Sequence, residues 1–330
     1  MYSDLVHCTK EARHKRGVAV AVEDLSRSFG GTKALDGVSL SIPSGTVLSV
    51  LGPNGAGKTT LIRILATLLP AGGGRAWIAG HDVAREPHAV RSLIGLTGQF
   101  AAVDEQLTGR ENLRLVGRLS HLGERVARRR ADELLEVVGL TEVAGRPVRT
   151  YSGGMRRRVD IAAGLVASPS VLFLDEPTTG LDPRGRLDVW ALIADLVGRG
   201  TTLLLTTQYL EEADRLADRI AVLDRGRVVA EGSSDELKRK VGGEVLEVRL
   251  ADPAAVPEAL RAARDLAAGD TRLHGDCLSI PVAAASGTVV RAVRVLDAAG
   301  VEVADIALRR PTLDDVFLSL TGRPASKEAA

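Results

Sequence analysis

The sequence predicts an α/β fold: a mainly parallel sheet with an antiparallel edge, a helical subdomain set into it, and a small α+β unit at the end. Three observations carry this. Short apolar runs at Thr46–Leu51, Val171–Leu174 and Leu203–Thr206 have the pattern of strands buried on both faces. From about Phe100 to Gly164 the apolar period lengthens to three and four residues, as in helices. Beyond Lys240-Val241-Gly242-Gly243 a shorter set of strand and helix patterns begins afresh.

The elements follow in order. Val18–Leu25 and Gly37–Ile42 alternate apolar and polar residues, as half-exposed strands do, and Gly30-Gly31 suits the turn between them. Thr46–Leu51 runs into a glycine-rich turn and then a helical pattern, Thr59–Leu69. Glu111–Leu122 and Glu124–Val138 are helical, and Ile220–Leu223 and Arg227–Ala230 flank the hairpin signal Asp224-Arg225-Gly226. Past the seam, Glu244–Leu250 alternates like an edge strand, Pro253–Ala268 and Thr288–Ala299 read as helices, and Cys277–Val282 and Val301–Leu308 as strands. The expected organisation is a tail at 1–17, a main domain at 18–240 with its helical subdomain at about 100–164, an accessory α+β domain at 244–322 and a tail at 323–330.

Composition narrows the class. The 330 residues are 45% hydrophobic and 26% charged, ordinary for a globular chain. A net charge of +1 gives no field directed at nucleic acid, so no nucleic-acid partner is expected. The runs Arg128-Arg129-Arg130 and Arg156-Arg157-Arg158 read as solvated helix faces. Two cysteines far apart, Cys8 and Cys277, favour a reducing compartment over a disulfide framework. The first residues lack the apolar run of a signal peptide, and no stretch has the roughly 18 apolar residues of a spanning helix. If the protein serves a membrane, another chain must cross it.

Gly52-Pro53-Asn54-Gly55-Ala56-Gly57-Lys58-Thr59 satisfies the phosphate-loop pattern, with a strand before it and a helix after it. Its glycines let backbone N–H groups converge on phosphate oxygens, and the helix adds its positive N-terminal end. Lys58 is expected to reach the β- and γ-phosphates, the Thr59 hydroxyl to ligate Mg²⁺, and Thr60 to complete the ATP-binding set of a P-loop NTPase core. Val171–Leu174 delivers Asp175 and Glu176 at a strand end. Asp175 suits a Mg²⁺ partner and Glu176, one residue on, a general base for the attacking water. Alone, such an acidic pair is usually a solvated turn; beside a phosphate loop the chemical role prevails. Ser152-Gly153-Gly154 opens a helix and offers a second anion site, or an ordinary N-cap.

The order of the phosphate loop, Gln99, Tyr151-Ser152-Gly153-Gly154-Met155, Val171–Glu176 and Thr179-Gly180-Leu181-Asp182 resembles an ABC-transporter ATPase subunit over roughly residues 18–240. The resemblance implies head-to-tail homodimers with two ATPs between subunits, Ser152, Gly153 and Gly154 sensing the γ-phosphate held by the other chain. It places Phe29 on adenine, with a core phenylalanine as the alternative. It puts Gln99 on Mg²⁺ and the attacking water, and Asp104–Leu113 beneath the membrane partner's coupling helix. It gives Asp182 a dimer contact.

Two departures stand out. Tyr151 and Met155 replace the common leucine and glutamine, and Gln208 replaces the histidine that touches the γ-phosphate. A glutamine can donate a hydrogen bond but cannot become a cation, which slows turnover in this expectation. With Arg156-Arg157-Arg158 and Thr312-Leu313-Asp314-Asp315-Val316-Phe317, these features are similar to the daunorubicin/doxorubicin-resistance ATPase subfamily. That implies an ATPase using ATP and Mg²⁺ at the cytoplasmic face of the cell membrane. It would energise efflux of a drug or antibiotic-like compound through a separate multi-spanning permease subunit. The alternatives are a soluble ABC ATPase acting on ribosomes or DNA, and a binding module without turnover. One set of motifs, no long heptad run and the retained Glu176 argue against both.

Overall fold

The computed structural model describes residues 17–98, 103–241, 244–282, 287–309 and 311–321. They divide into two compact units, one up to Ser233 and one from Ser234. The division falls ahead of the seam near 240, because α8 of the second unit (Ser234–Val241; labels as below) packs against that unit's last helix.

The first unit is built on a six-stranded sheet. Its strands are β3 (Val47–Leu51), β6 (Ile94–Thr97), β7 (Val171–Asp175), β8 (Thr202–Thr207), β9 (Arg219–Asp224) and β10 (Arg227–Gly232), in the order β10-β9-β3-β8-β7-β6. All neighbours are parallel except the hairpin β9–β10 at one edge. Both faces are covered, and alternate residues of one strand enter different cores. Phe173 and Val171 pack on one side of β7, Leu172 and Leu174 on the other. That is why these strands read as unbroken apolar runs.

The first core is closed by an antiparallel sheet, β1 (Val18–Phe29), β2 (Thr32–Pro43), β4 (Gly73–Ile78) and β5 (His81–Asp82), in the order β2-β1-β4-β5, and by α1 (Lys58–Leu65) and α2 (Pro87–Leu93). The second is closed by α3 (Gly109–Leu119), α4 (Glu124–Val137), α5 (Gly153–Leu165), α6 (Pro183–Gly198) and α7 (Leu210–Leu216). α3 begins with a full capping box, Thr108 and Glu111 each bonding the other's backbone N–H.

The second unit holds α8, β11 (Glu244–Leu250), α9 (Val256–Ala263), β12 (Arg272–His274), β13 (Cys277–Val282), α10 (Thr288–Ala298), β14 (Val303–Arg309) and α11 (Leu313–Thr321). Its sheet is antiparallel, ordered β12-β13-β11-β14. With one helix after β11 and one after β13, this is the split β-α-β-β-α-β arrangement. β11, expected at an edge, is an inner strand with β13 on one side and β14 on the other. The alternation of Leu246, Val248 and Leu250 reports one buried face, which an inner strand of a one-sided sheet shares with an edge strand.

Helix α5 lies directly on β6. A methyl group at Gly95 would sit 2.2 Å from the Gly164 carbonyl oxygen and 2.8 Å from a Leu172 methyl, so only hydrogen fits. Gly95→Ala must push α5 off the sheet. It is expected to lower stability by about 1–3 kcal/mol in urea unfolding followed by tryptophan fluorescence, and an unchanged midpoint would refute the close approach.

Helix α7 is pinned from inside by a charge. Glu212 is fully buried, and its Oε1 accepts from the Thr178 hydroxyl at 2.8 Å and the Trp190 indole N–H at 3.0 Å. Burial pushes its carboxyl above the usual value of 4.5, against hydrogen bonds from Thr207, Thr178 and Trp190 and the charge of Arg157. A carboxyl whose pKa is raised by folding contributes stability below its unfolded pKa and loses it as pH rises through the folded one. Glu212→Gln keeps an acceptor oxygen and removes the titration. Its melting temperature should therefore gain on that of the wild type as pH is raised from about 4.5 to about 8, whereas parallel curves would contradict the assignment.

Candidate functional site

The site sits where the parallel strands end. β3, β7 and β8 stop in register, Leu51 opposite Thr207 and Asp175 opposite Thr206. Three chain segments therefore leave the sheet side by side: the loop 52–57, the turn from Glu176, and the turn carrying Gln208.

The loop is tied at both ends. Gly52 N–H donates to Thr207 O at 3.2 Å, and the Ala56 carbonyl accepts from Gly226 N–H at 2.9 Å. Gly57 has φ 112°, and a Cβ there would fall 2.3 Å from Ala34 O. No other residue fits either constraint. Lys58, the first residue of α1, is buried and turns back over the loop. Its Nζ donates to Gly52 O at 2.7 Å and Pro53 O at 3.1 Å, and pairs with Glu176 Oε1 at 3.1 Å. The Thr59 hydroxyl donates to Asp175 Oδ1 at 3.4 Å. Lys58, Thr59, Asp175 and Glu176 are thus brought together. Pro53, Asn54, Gly55 and Ala56 form the loop itself, and Thr60 follows on α1.

Asp175 and Glu176 face different ways because the chain reverses between them. Glu176 has φ 51°, a left-handed backbone rare for a side-chain-bearing residue and costing about 1 kcal/mol or more. It is held there by its N–H on Thr206 O at 3.0 Å and Oγ1 at 3.2 Å. Asp175 Oδ1 accepts the Thr206 hydroxyl at 2.5 Å, and Glu176 Oε2 accepts that of Thr179 at 3.3 Å. Thr206 therefore aligns both acids, a role its apolar strand did not reveal.

Ser152 caps α5, its hydroxyl accepting Met155 N–H at 3.2 Å. Ser152 and Gly153 are exposed, and no hydrogen bond or ion pair joins them to the loop 52–59 of the same chain among the described residues. Tyr151, one of the two departures, is buried, fills the space over Gly109 and donates its hydroxyl to Val143 O at 2.7 Å. Asp182 caps α6 through Gly185 N–H at 3.0 Å. Gln208 follows β8 directly and is half-buried. Phe29 ends β1 with 46% of its surface exposed, so the core alternative fails. The Arg27 guanidinium lies 5.0 Å from its ring centre. Gln99 lies outside the described residues.

The arginine run on α5 needs a correction. Arg156 and Arg158 are partly exposed, but Arg157 is buried with Asp160 at 3.1 Å. Burial draws its pKa down, opposed by the charges of Asp160, Glu212 and Asp175. Three consecutive helical residues span about 200° of the helix, so α5, covered on several sides, cannot expose all three.

No cluster of three or more His, Cys, Asp or Glu side chains is set to hold a metal among the described residues. The donors present at the strand ends are a hydroxyl and a carboxylate, hard oxygen ligands that suit Mg²⁺ completed by water and phosphate.

Comparison with known proteins agrees with this geometry. The ABC transporter family matches residues 35–179. The daunorubicin resistance ATP-binding protein DrrA3 of Streptomyces coeruleorubidus is 56% identical over 94% of this chain and 99% of its own. The daunorubicin/doxorubicin resistance ATP-binding protein DrrA of Streptomyces peucetius is 51% identical over 93% of each chain. Among solved structures, the dimeric ATP-binding cassette MJ0796, bound to ADP and phosphate after hydrolysis, is 27% identical. It has a TM-score of 0.59, covering 65% of this chain and 98% of that one. With the phosphate loop, the paired acids and the serine-capped helix in place, the chain belongs to the ABC-transporter ATP-binding proteins, in the group of the daunorubicin/doxorubicin-resistance ATPases.

Proposed function

We propose that the chain is the motor subunit of a membrane exporter, hydrolysing ATP to drive a drug or antibiotic-like compound through a separate multi-spanning permease. The convergence of Lys58, Thr59, Asp175 and Glu176 at one sheet edge carries the proposal. Lys58 supplies a cation for the β- and γ-phosphates, whose oxygens also take backbone N–H groups of the loop beyond Pro53. Thr59 and Asp175 would hold Mg²⁺, with Gln99 added by the family resemblance, and the ion would neutralise phosphate charge. Glu176 accepts a proton from water as its oxygen bonds to the γ-phosphorus and the bond to the β-phosphate oxygen breaks. The Thr179 hydroxyl on Oε2 leaves Oε1 as the oxygen that exchanges Lys58 for water. Gln208 extends to the γ-phosphate as a neutral donor, and Phe29, exposed and backed by Arg27, stacks on adenine.

The exposed Ser152 and Gly153, with Gly154 buried behind them, support a head-to-tail homodimer in which this turn meets the γ-phosphate of the partner's nucleotide. The relatives' resistance function supports export, and a peripheral place on the cytoplasmic membrane face follows from it. No helix among the described residues is long and apolar enough to cross a membrane, so the path for the compound belongs to another chain.

Glu176→Gln should retain ATP affinity within about twofold and lower turnover by about 10²–10⁴-fold, trapping a dimer. Lys58→Ala should lose both binding and turnover. It also leaves Glu176 buried without its cation, a loss of about 3–5 kcal/mol that Lys58→Ala with Glu176→Gln should partly recover. Steady-state phosphate release and nucleotide titration decide; normal turnover in Glu176→Gln would place the base elsewhere.

In cells, deleting this chain or its permease should equally lower the inhibitory concentration of an amphipathic toxic compound. Export by membrane vesicles that contain this chain without a permease would overturn the division of labour.

A further inference from the structure

Arg157 has no part in the hydrolytic step derived above, yet it makes as many directed bonds to the catalytic segments as Lys58 does. Its Nε donates to Pro177 O at 2.8 Å and its Nη2 to Asp175 O at 3.2 Å, the carbonyls on either side of Glu176. Its Nη1 donates to Gly98 O at 2.6 Å, the residue before Gln99, and to Asp160 Oδ2 at 3.1 Å. All four bonds come from one planar group that is almost wholly out of water.

A guanidinium is suited to this and an ammonium is not. The five N–H groups lie in one rigid plane and can serve three backbone segments at once, whereas a lysine brings one flexible point charge. Burying an arginine costs several kcal/mol unless its N–H groups are all but satisfied, and Asp160, one turn away on α5, supplies the counter-charge. A purely architectural brace would serve as well on apolar side chains. Here each backbone acceptor flanks a residue of the site: Glu176 on both sides, and Gln99. The left-handed backbone at Glu176 needs such restraint: Thr206 fixes its N–H and its own carbonyl accepts a long bond from Thr179 N–H at 3.3 Å, while Arg157 holds the carbonyls on either side.

We propose that Arg157 is a positioning residue for hydrolysis: it locks the backbone around Glu176 and at the entry to Gln99 to the helix that carries Ser152-Gly153-Gly154. A shift of α5 is thereby passed to the base and to Gly98 through one side chain. The inference rests on Glu176 being the base.

The test uses the purified full-length chain. Arg157→Met, which keeps the length of the aliphatic stem and removes the guanidinium, should lower kcat by about 10²-fold, the loss expected from a misplacement of about 1 Å, while ATP affinity changes by less than about threefold. Arg157→Lys should remain closer to Arg157→Met than to the wild type. In Arg157→Ala, about 20 mM guanidinium should restore part of the turnover and equimolar urea none, a readout that loss of packing would not give. Normal kcat in any folded variant would overturn the proposal. So would equal loss of affinity and turnover with no response to guanidinium, which marks a purely structural residue. If Arg157→Ala does not fold, the split between kcat and affinity in Arg157→Lys and Arg157→Met decides alone. Glu176→Gln, run beside them, separates the two levels: if it is inactive and Arg157→Met is normal, only this inference falls; if it is active, the assignment of the base falls first.

Discussion

The parallel register of β3, β8 and β7 is the constraint on which the rest of the molecule depends. Five hydrogen-bonded rungs tie β3 to β8 and five tie β8 to β7, so the ends of all three strands are fixed within one residue of each other. Parallel strands cannot be joined by tight turns, and every connection becomes a helix returning over a face of the sheet. The carboxyl ends are thereby left free of connections within the sheet. The phosphate loop, the paired acids and Gln208 occupy them, as ligand sites in open α/β sheets do. A slip of one residue in β7 would exchange the faces of Phe173 and Leu174 and carry Asp175 away from Thr59. The core and the site are specified by the same register.

Charge buried at the end of this sheet is arranged in short, closed circuits. Lys58 answers Glu176, Arg157 answers Asp160, and Glu212 is held by neutral donors with Arg157 in range. Such groups stabilise little by themselves, since desolvation offsets most of the attraction. Their value lies in geometry. Each is locked by several directed bonds, and each circuit joins elements far apart in sequence: α1 to β7, α5 to β7 and β6, α7 to the turn after β7. The last of these runs from the start of α7, just beyond Gln208, to Thr178, just beyond Glu176. The turn after Glu176 and the turn carrying Gln208 are therefore mechanically connected.

What the sequence disclosed and what it withheld follow from range. The phosphate loop was legible because its chemistry is local: glycine spacing, one lysine and one hydroxyl, with strand and helix on either side. Asp175 and Glu176 were legible because an apolar strand announces its own end. Thr206 was not, since a threonine in a buried strand looks like any β-branched residue until its neighbour strand is known. Arg157 was hidden in Arg-Arg-Arg, which reads as a solvated face, and Glu212 in Glu-Glu-Ala-Asp, where nothing marks one acid from the next. Period alone cannot say which member of a charged cluster turns inward on a helix covered on several sides. β4, β5 and β6 were missed because all three are short and two carry glycines, Gly73 and Gly74 in β4 and Gly95 in β6, the last of them there only to admit α5. β11 was placed at an edge because alternation reports faces and not neighbours.

The serine-capped turn of α5 shows why one chain is not the whole machine. From Gly154 onward α5 is pressed between β6, α6 and the helical subdomain, and Gly154 approaches Gly185 so closely that a side chain would crowd it. The two residues before it, Ser152 and Gly153, are the exposed exception on an otherwise covered element. The Ser152 hydroxyl already caps Met155, so the cap alone explains the serine. The glycine beside it is crowded within its own chain by a Leu181 methyl, 3.3 Å from where a Cβ would stand, and its bare backbone also lets another group come close. In the head-to-tail pair proposed above, that group is the γ-phosphate of the other chain's ATP. Arg157, one turn further along the same helix, then stands between the partner's nucleotide and this chain's own base. Closure of the pair would be felt at Glu176 through a rigid helix and one guanidinium, with no large motion required.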